Sequence, residues 1–179
     1  MLIAKLNRAF PMAEAVGKSR QKSRRDVVLS IKPAYSDKIL TGEKTVELRR
    51  RFPMAAPHGA IAYIYSTSPV KAMVGTASIR DVLRLPIEQI WTRFESTAVI
   101  ERPLFDKYFE GLEDGYVIVF DDVKSFAQPL PLVELREKFR FKPPQSFRYV
   151  TPDLKRALEY RAIRTVKAPT VVAKSRQDG

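Results

Sequence analysis

Apolar residues along the chain recur with two different periods, which predict strands and helices. Alternating or continuous β-branched and aromatic positions predict six strands, at residues 27–31, 44–51, 60–67, 71–80, 115–120 and 126–130. Apolar residues three or four positions apart predict five helices, at residues 34–41, 87–94, 103–110, 132–139 and 151–163. The strands do not alternate regularly with helices, which argues against a doubly wound sheet. The pattern predicts an α+β fold, with a mixed, partly closed β-barrel flanked by short helices.

Glycine, proline and paired acidic residues predict where these elements bend or end. Leu85-Pro86 is expected to break the sheet, and Asp121-Asp122 to form a turn. Gly75 lies inside a predicted strand, where it indicates a β-bulge or the close approach of another backbone. His58, the single histidine, lies in a loop rich in proline and is expected at the surface.

The stretch Ser30–Pro53 (SIKPAYSDKILTGEKTVELRRRFP) contains the densest polar pattern of the chain. Gly42 stands where a helix C-cap glycine belongs, and a strand follows it directly. The turn brings four polar side chains close together: Lys44, Thr45, Glu47 and Arg49. Strand alternation places Thr45, Glu47 and Arg49 on one face. A charged pair such as Lys44 and Glu47 beside a helix end can bind a polar ligand or shift a pKa.

The run LSIKPAYSDKILTGEKTVELRRRFP resembles the signature of ASCH domains, a branch of the PUA-like superfamily. Its marks are Tyr35, Ile39, Gly42, Lys44, Glu47 and Arg49. Residues 63–79 (YIYSTSPVKAMVGTASI) resemble the next two strands of the family, and PPQSFRY at residues 143–149 resembles a closing motif of one bacterial subgroup. The resemblance covers about residues 27–150 and implies a PUA-like barrel associated with RNA or modified nucleosides.

The resemblance implies that the polar side chains after Gly42 line the mouth of the barrel, where ligands bind. The predicted ligand-binding residues are Lys44, Thr45, Glu47, Arg49, Tyr63, Tyr65, Ser66, Gln145 and Ser146. Tyr63 and Tyr65 share a strand face and could stack a base, with core packing as the alternative. The loop that contains Gln145 and Ser146 could fold over the site.

Two activities occur among similar domains, and they would use these residues differently. One group hydrolyses the amide of N4-acetylcytidine with a lysine, a threonine and a downstream glutamate. Lys44 matches that lysine and Glu95 could be the acid, but Glu47 stands where the family has its threonine. Thr45 is one residue too early, which argues against the amidohydrolase.

A second group of similar domains cleaves single-stranded RNA without metal, using a lysine and a nearby tyrosine or serine. Lys44, Tyr35 and Ser66 fit that description. A cation such as Lys44 could stabilise charge at the phosphate, while Glu47 takes the 2′-hydroxyl proton. Lys44 and Glu47 are therefore the candidate catalytic residues, and no metal or cofactor is predicted. The alternative is a set of cross-strand ion pairs, each worth less than about 1 kcal/mol.

Charge is concentrated at the two ends of this chain of 179 residues, whose net charge is +12. Residues 1–26 form a basic arm, expected to be disordered or to order only on contact with a partner. Residues 27–150 form the ASCH domain, and residues 151–179 form a helix and a basic tail. Basic arms commonly bind phosphates, although they can simply keep a protein soluble. The predicted phosphate contacts are Lys18, Arg20, Lys22, Arg24, Arg25, Arg50 and Arg51.

The predicted partner is RNA or a nucleotide, bound by a recognition module or by an enzyme. DNA binding through the tails, as in a transcription-linked regulator, is a weaker alternative because the sequence contains no helix-turn-helix pattern. The chain has no cysteine, which excludes disulfides and thiolate chemistry. It has no apolar run of the length that a membrane helix needs, so a cytoplasmic protein without a membrane partner is expected. The oligomeric state stays open.

Overall fold

A computed structural model of the chain describes residues 25–53 and 59–165. The predicted contacts Lys18, Arg20, Lys22 and Arg24, together with His58, lie outside the described residues. The described elements are β1 (Val27–Ile31), α1 (Pro33–Leu40), β2 (Val46–Arg49), β3 (Ala60–Ser66), β4 (Ala72–Pro86), α2 (Ile87–Ala98), α3 (Arg102–Phe109), β5 (Asp114–Pro131), α4 (Leu132–Phe139), β6 (Phe147–Tyr149) and α5 (Pro152–Thr165). Each of the five predicted helices is present.

The strands form one mixed sheet in the order β2-β5-β4-β3-β1-β6. β1 runs parallel to β3, and the remaining neighbours are antiparallel. The sheet curls into a half-barrel. The curl brings Arg49 of the edge strand β2 within hydrogen-bond distance of Ser146, which directly precedes the opposite edge strand, β6. The predicted mixed, partly closed barrel with flanking helices is confirmed.

β4 and β5 are much longer than the sequence indicates. β4 was predicted to end at residue 80, but it continues to Leu85 and Pro86, which pair with the start of β5. The strand ends there, where Leu85-Pro86 predicted a break, and α2 begins at Ile87. β5 runs through Asp121 and Asp122, where a turn was predicted, and includes the separate strand predicted at residues 126–130. Register shifts between the two strands bend them without ending their pairing. One of these shifts falls at Gly75, as predicted.

Three hydrophobic clusters stabilise the half-barrel. The inner core lies beneath α1 and includes Leu29, Ile39, Ile64, Ile118 and Phe120. The first outer core lies under α4 and α5 and includes Val28, Met73, Leu135, Phe141 and Leu158. The second outer core lies under α2 and α3 and includes Val46, Leu48, Ile90, Phe105 and Val117. The sheet is therefore covered on its outer face at both ends.

Tyr63 and Tyr65 belong to the first outer core and do not line the barrel mouth. They are only 3% and 2% exposed, and the Tyr65 ring packs on Phe141 with centroids 5.7 Å apart. Burial raises the pKa of both phenols. The prediction that they stack a base is corrected, because strand alternation turns both side chains away from the inner core that holds Ala62 and Ile64.

Helix α5 and the residue before β1 are parts of the same folded unit. Leu154 and Leu158 of α5 are buried in the first outer core. Asp26, which was assigned to the unstructured arm, is 7% exposed and accepts a hydrogen bond from the Ile61 amide at 2.9 Å. Its other carboxylate oxygen lies 2.7 Å from Lys155 Nζ. Asp26 therefore fixes the position of α5 against β3. None of the helices described is long and apolar enough to cross a membrane.

Candidate functional site

The turn between α1 and β2 brings Lys44 under the helix. Gly42 adopts φ +80°, a conformation that glycine tolerates best, and its amide donates to the Ile39 carbonyl. The Lys44 amide then donates to the Lys38 carbonyl at 2.9 Å. β2 begins two residues later, at Val46. The predicted C-cap role of Gly42 is confirmed, and the turn positions Lys44 just before the strand.

Lys44 is almost completely buried, at 3% exposure. Its Nζ donates a 2.6 Å hydrogen bond to the Ala98 carbonyl at the end of α2 and lies 3.6 Å from Glu47 Oε2. The same ammonium lies 5.4 Å from the centre of the Tyr35 ring, a cation–π contact. Burial lowers the pKa of Lys44, although Glu47 opposes that shift. A lysine with a lowered pKa gives up its proton more readily than one in water.

Glu47 and Arg49 extend the polar group along β2. Glu47 Oε1 lies 3.2 Å from Arg49 Nη2, and both side chains are buried. Arg49 also donates to the Ser30 carbonyl at 3.0 Å and to the carbonyl and hydroxyl of Ser146 at 3.3 Å. Its Nε is buried without a hydrogen-bond partner among the described residues. Lys44, Glu47 and Arg49 form one connected group, which we call the charged cluster.

The remaining predicted residues lie in different places. Thr45 is exposed and precedes the start of β2. Its amide donates to the Thr97 carbonyl, and its carbonyl accepts from the Phe120 amide. The prediction that Thr45 shares the site with Glu47 is therefore corrected, because regular alternation begins only at Val46. The Glu95 side chain is exposed on α2 and makes no hydrogen bond or ion pair with a described residue. The side chains that N4-acetylcytidine hydrolysis would need are not assembled.

Residues 145 and 146 were both predicted at the site, and only Ser146 contacts the charged cluster. Gln145 is exposed, whereas Ser146 accepts hydrogen bonds from Arg49. Ser66 is buried at the end of β3, where its hydroxyl bonds the Ser36 hydroxyl at 2.9 Å. Tyr35 contacts Lys44 through its ring.

Two groups of the site are backbone carbonyls that sequence reasoning missed. The Ala98 carbonyl accepts from Lys44, and the Ser30 carbonyl accepts from Arg49. Any residue type can supply a carbonyl, so no residue pattern marks these positions. Only the packing of α2 against β2, and the curl of the sheet that brings Ser30 of β1 within reach of Arg49, identify them.

The described arginines that were predicted to bind phosphates are exposed. Arg50 donates to the Tyr108 and Glu110 carbonyls at 2.6 and 3.1 Å. Arg51 lines an open cleft beside the end of β2. The Arg25 guanidinium packs 3.7 Å from the centre of the Tyr149 ring. Within the part of the chain that is described, no group of three or more His, Asp or Glu side chains is placed to hold a metal ion.

Residues 29–124 match the family model of the ASCH domain. The chain belongs to the ASCH domain family. It is 33% identical over 128 residues to an ASCH domain-containing ribonuclease of Zymomonas mobilis, a match that covers 71% of this chain and 85% of that protein. The crystal structure of ASCH from Zymomonas mobilis superposes with a TM-score of 0.72 at 30% identity, covering 76% of this chain and 95% of that one.

A more distant structure extends the likeness of the fold. Human THYN1, in complex with DNA containing 5-methylcytosine, gives a TM-score of 0.50 at 11% identity and covers 81% of this chain and 99% of that one. At that identity the likeness concerns the fold alone. The predicted ASCH, PUA-like fold is confirmed.

Proposed function

We propose that this ASCH chain binds RNA and cleaves it as a ribonuclease. The observation that carries the proposal is the similarity to the ribonuclease of Zymomonas mobilis, which extends over 85% of that protein. A match of that extent includes the whole fold rather than one shared motif. The charged cluster supports the proposal, because it places two cations and one carboxylate within a few ångströms of one another.

The charged cluster contains the groups that RNA transesterification uses. In the proposed reaction Glu47 accepts the proton of a 2′-hydroxyl, and the 2′-oxygen forms a bond to phosphorus. The bond from phosphorus to the 5′-oxygen breaks, and Lys44 gives that oxygen a proton. Burial lowers the pKa of Lys44, which favours its role as the acid. Arg49 holds Glu47 in place and adds positive charge near the phosphate.

A second candidate is RNA recognition without cleavage. Lys44 is 3% exposed and its ammonium already bonds the Ala98 carbonyl, so a phosphate has to displace an existing contact. Such a closed cluster favours binding of one small group, such as a base edge or a single phosphate. Arg49 Nε supplies a donor that lacks a partner among the described residues.

The test uses the full chain and two cluster variants, Lys44→Ala and Glu47→Ala. Glu43→Gln is the matched control, because Glu43 is an exposed acid in the same turn and pairs with Lys38. Each protein is incubated in EDTA with labelled single-stranded RNA, with DNA of the same sequence and with N4-acetylcytidine.

We expect cleavage of RNA by the parent and the control, and a loss of at least about a hundredfold in both cluster variants. Tight RNA binding without cleavage would select the recognition module. Release of acetate from N4-acetylcytidine would contradict the proposal. Equal cleavage by all four proteins would place the reaction elsewhere on the molecule.

A further inference from the structure

An open cleft lies where β2 ends, between the turn that leads into β5 and the edge strand β6. Its volume is about 530 Å³, within the range of small-molecule sites. Three arginines line it, Arg50, Arg51 and Arg84, together with aromatic residues and the carboxylates of Glu113 and Asp114. The lining therefore combines cations, acceptors and rings, as nucleotide sites do.

The three arginines differ in the number of hydrogen bonds and ion pairs that their guanidinium groups make. Arg50 donates to two backbone carbonyls, and Arg84 pairs with Asp114 at 3.0 Å. Arg51 is exposed and makes no hydrogen bond or ion pair with any residue that the structure describes. Its five N–H donors are available to a ligand, and guanidinium binds phosphate through two parallel hydrogen bonds. Arg51 is therefore the cleft residue best suited to hold a phosphate.

Half-buried rings continue from the cleft along β6. Phe147 lines the cleft, with its ring 5.0 Å from that of Phe52 and 6.2 Å from that of Tyr149. Arg25 packs on the far side of this row, over Tyr149. Tyr116 supplies a second half-buried ring inside the cleft. Such rings can stack bases irrespective of sequence.

The cleft adjoins the charged cluster directly. Phe147 follows Ser146, which accepts the hydrogen bonds of Arg49. Tyr116 is the residue opposite Arg49 in the pairing of β2 with β5. A strand of RNA that places one phosphodiester at the charged cluster therefore has its neighbouring nucleotide at the cleft.

We propose that the cleft binds the nucleotide next to the phosphodiester held by the charged cluster, with its phosphate on Arg51 and its base on Phe147 or Tyr116. This proposal rests on the proposed action on RNA. The cleft is a second binding site beside the charged cluster, and Lys44, Glu47 and Arg49 do not line it.

The test compares Arg51→Gln with Arg93→Gln in the full chain. Arg93 is exposed on α2, does not line the cleft, and loses the same charge on substitution. Phe147→Leu is a third variant that keeps an apolar side chain against Phe52. Binding of a short single-stranded RNA is measured over a series of salt concentrations, and thermal melting checks that each variant is folded.

We expect Arg51→Gln to lower the slope of log K against log salt by about 0.7, one phosphate contact, and Arg93→Gln to leave it unchanged. Phe147→Leu is expected to weaken binding between about 5-fold and 150-fold. If the parent binds RNA and all three variants bind as it does, the cleft proposal is wrong while the proposed function stands. If the parent does not bind RNA, both proposals fall together.

Discussion

Arg49 and Ser146 lie at opposite edges of the sheet, and the guanidinium of Arg49 donates to both the carbonyl and the hydroxyl of Ser146 at 3.3 Å. A third bond, to the Ser30 carbonyl of β1, is 3.0 Å long. These contacts join β2 to the segment that precedes β6, although 97 residues separate the two partners in the chain. One buried side chain thus closes the open side of the half-barrel and orients Glu47 at the same time.

We expect Arg49→Lys to lower the free energy of unfolding by about 2 kcal/mol. Lysine keeps the charge beside Glu47 but cannot reach the Ser30 and Ser146 acceptors together. Urea unfolding measures the loss. Arg50→Lys is the matched control, because Arg50 also bonds two carbonyls but is exposed, and its loss should be below about 1 kcal/mol. Equal losses in the two variants would contradict a closing role for Arg49.

Lys44 is expected to make stability depend on pH in the alkaline range. Burial lowers its pKa in the folded protein, so between that pKa and the ordinary lysine value the unfolded chain binds more protons. The free energy of unfolding contributed by Lys44 therefore rises with pH in this window and is flat below it. Urea unfolding of the parent and of Lys44→Met, from about pH 7 to about pH 10, measures the difference.

The parent should gain stability relative to Lys44→Met as the pH rises. Lys107→Met, at an exposed position on α3, is the control for the loss of a lysine charge. If the stability difference between the parent and Lys44→Met instead falls with rising pH, the pKa of Lys44 is raised and not lowered in the folded protein.

Asp26→Ala should destabilise the fold by about 1–3 kcal/mol, since it leaves the Ile61 amide without an acceptor. Lys155→Ala should cost less than about 1 kcal/mol, because Lys155 is half exposed and its ion pair is screened. The hydrogen bond with Asp26 raises the pKa of Lys155 above that of a free lysine. The contribution of Lys155 to the free energy of unfolding is therefore complete below about pH 10 and is lost as the pH rises through the raised pKa. Chemical unfolding of both single variants and the double variant separates the two contributions, and equal costs would contradict this division.

Gly75→Ala should lower the free energy of unfolding by about 1–3 kcal/mol. An added Cβ would meet the Lys124 carbonyl oxygen and come within 2.6 Å of Leu40 Cδ2, so the bulge has to open or α1 has to move. Thr76→Ala, at the neighbouring and less buried position, should change stability by less than about 1 kcal/mol. Thermal melting of the parent and the two variants measures the change. An unchanged melting temperature for Gly75→Ala would show that the bulge accommodates the added methyl group without loss of stability.

Removal of residues 1–24 should flatten the salt dependence of RNA binding. The segment contains six Lys and Arg against one acid, and each phosphate contact contributes about 0.7 to the slope of log K against log salt. The truncation keeps Arg25 and Asp26, which contact Tyr149 and Ile61, so the folded unit should stay intact. An unchanged slope would show that the basic arm only adds charge to the protein.

Much of the fold was determined locally by the sequence. β1, α1, β2 and α4 occur where hydrophobic periodicity, proline and Gly42 predict them, because these signals act within a few residues. The same local pattern brings Lys44 close to Glu47. The family motif in this stretch identified the ASCH domain, which the comparisons confirm.

Tertiary structure alone decided which faces and which distant groups meet. Nearly every position of β3 is buried, so both faces of the strand are apolar. Its sequence therefore does not indicate which face contacts the inner core, and Tyr63 and Tyr65 lie on the other face. The long bends of β4 and β5 depend on their mutual register, which no local turn signal encodes. Besides Glu47, the partners of Lys44 and Arg49 are distant in the chain. Lys44 bonds the Ala98 carbonyl, 54 residues away, and Arg49 bonds Ser146, 97 residues away, and the Ser30 carbonyl, 19 residues away. Such contacts depend on the curl of the whole sheet, which a residue pattern does not specify.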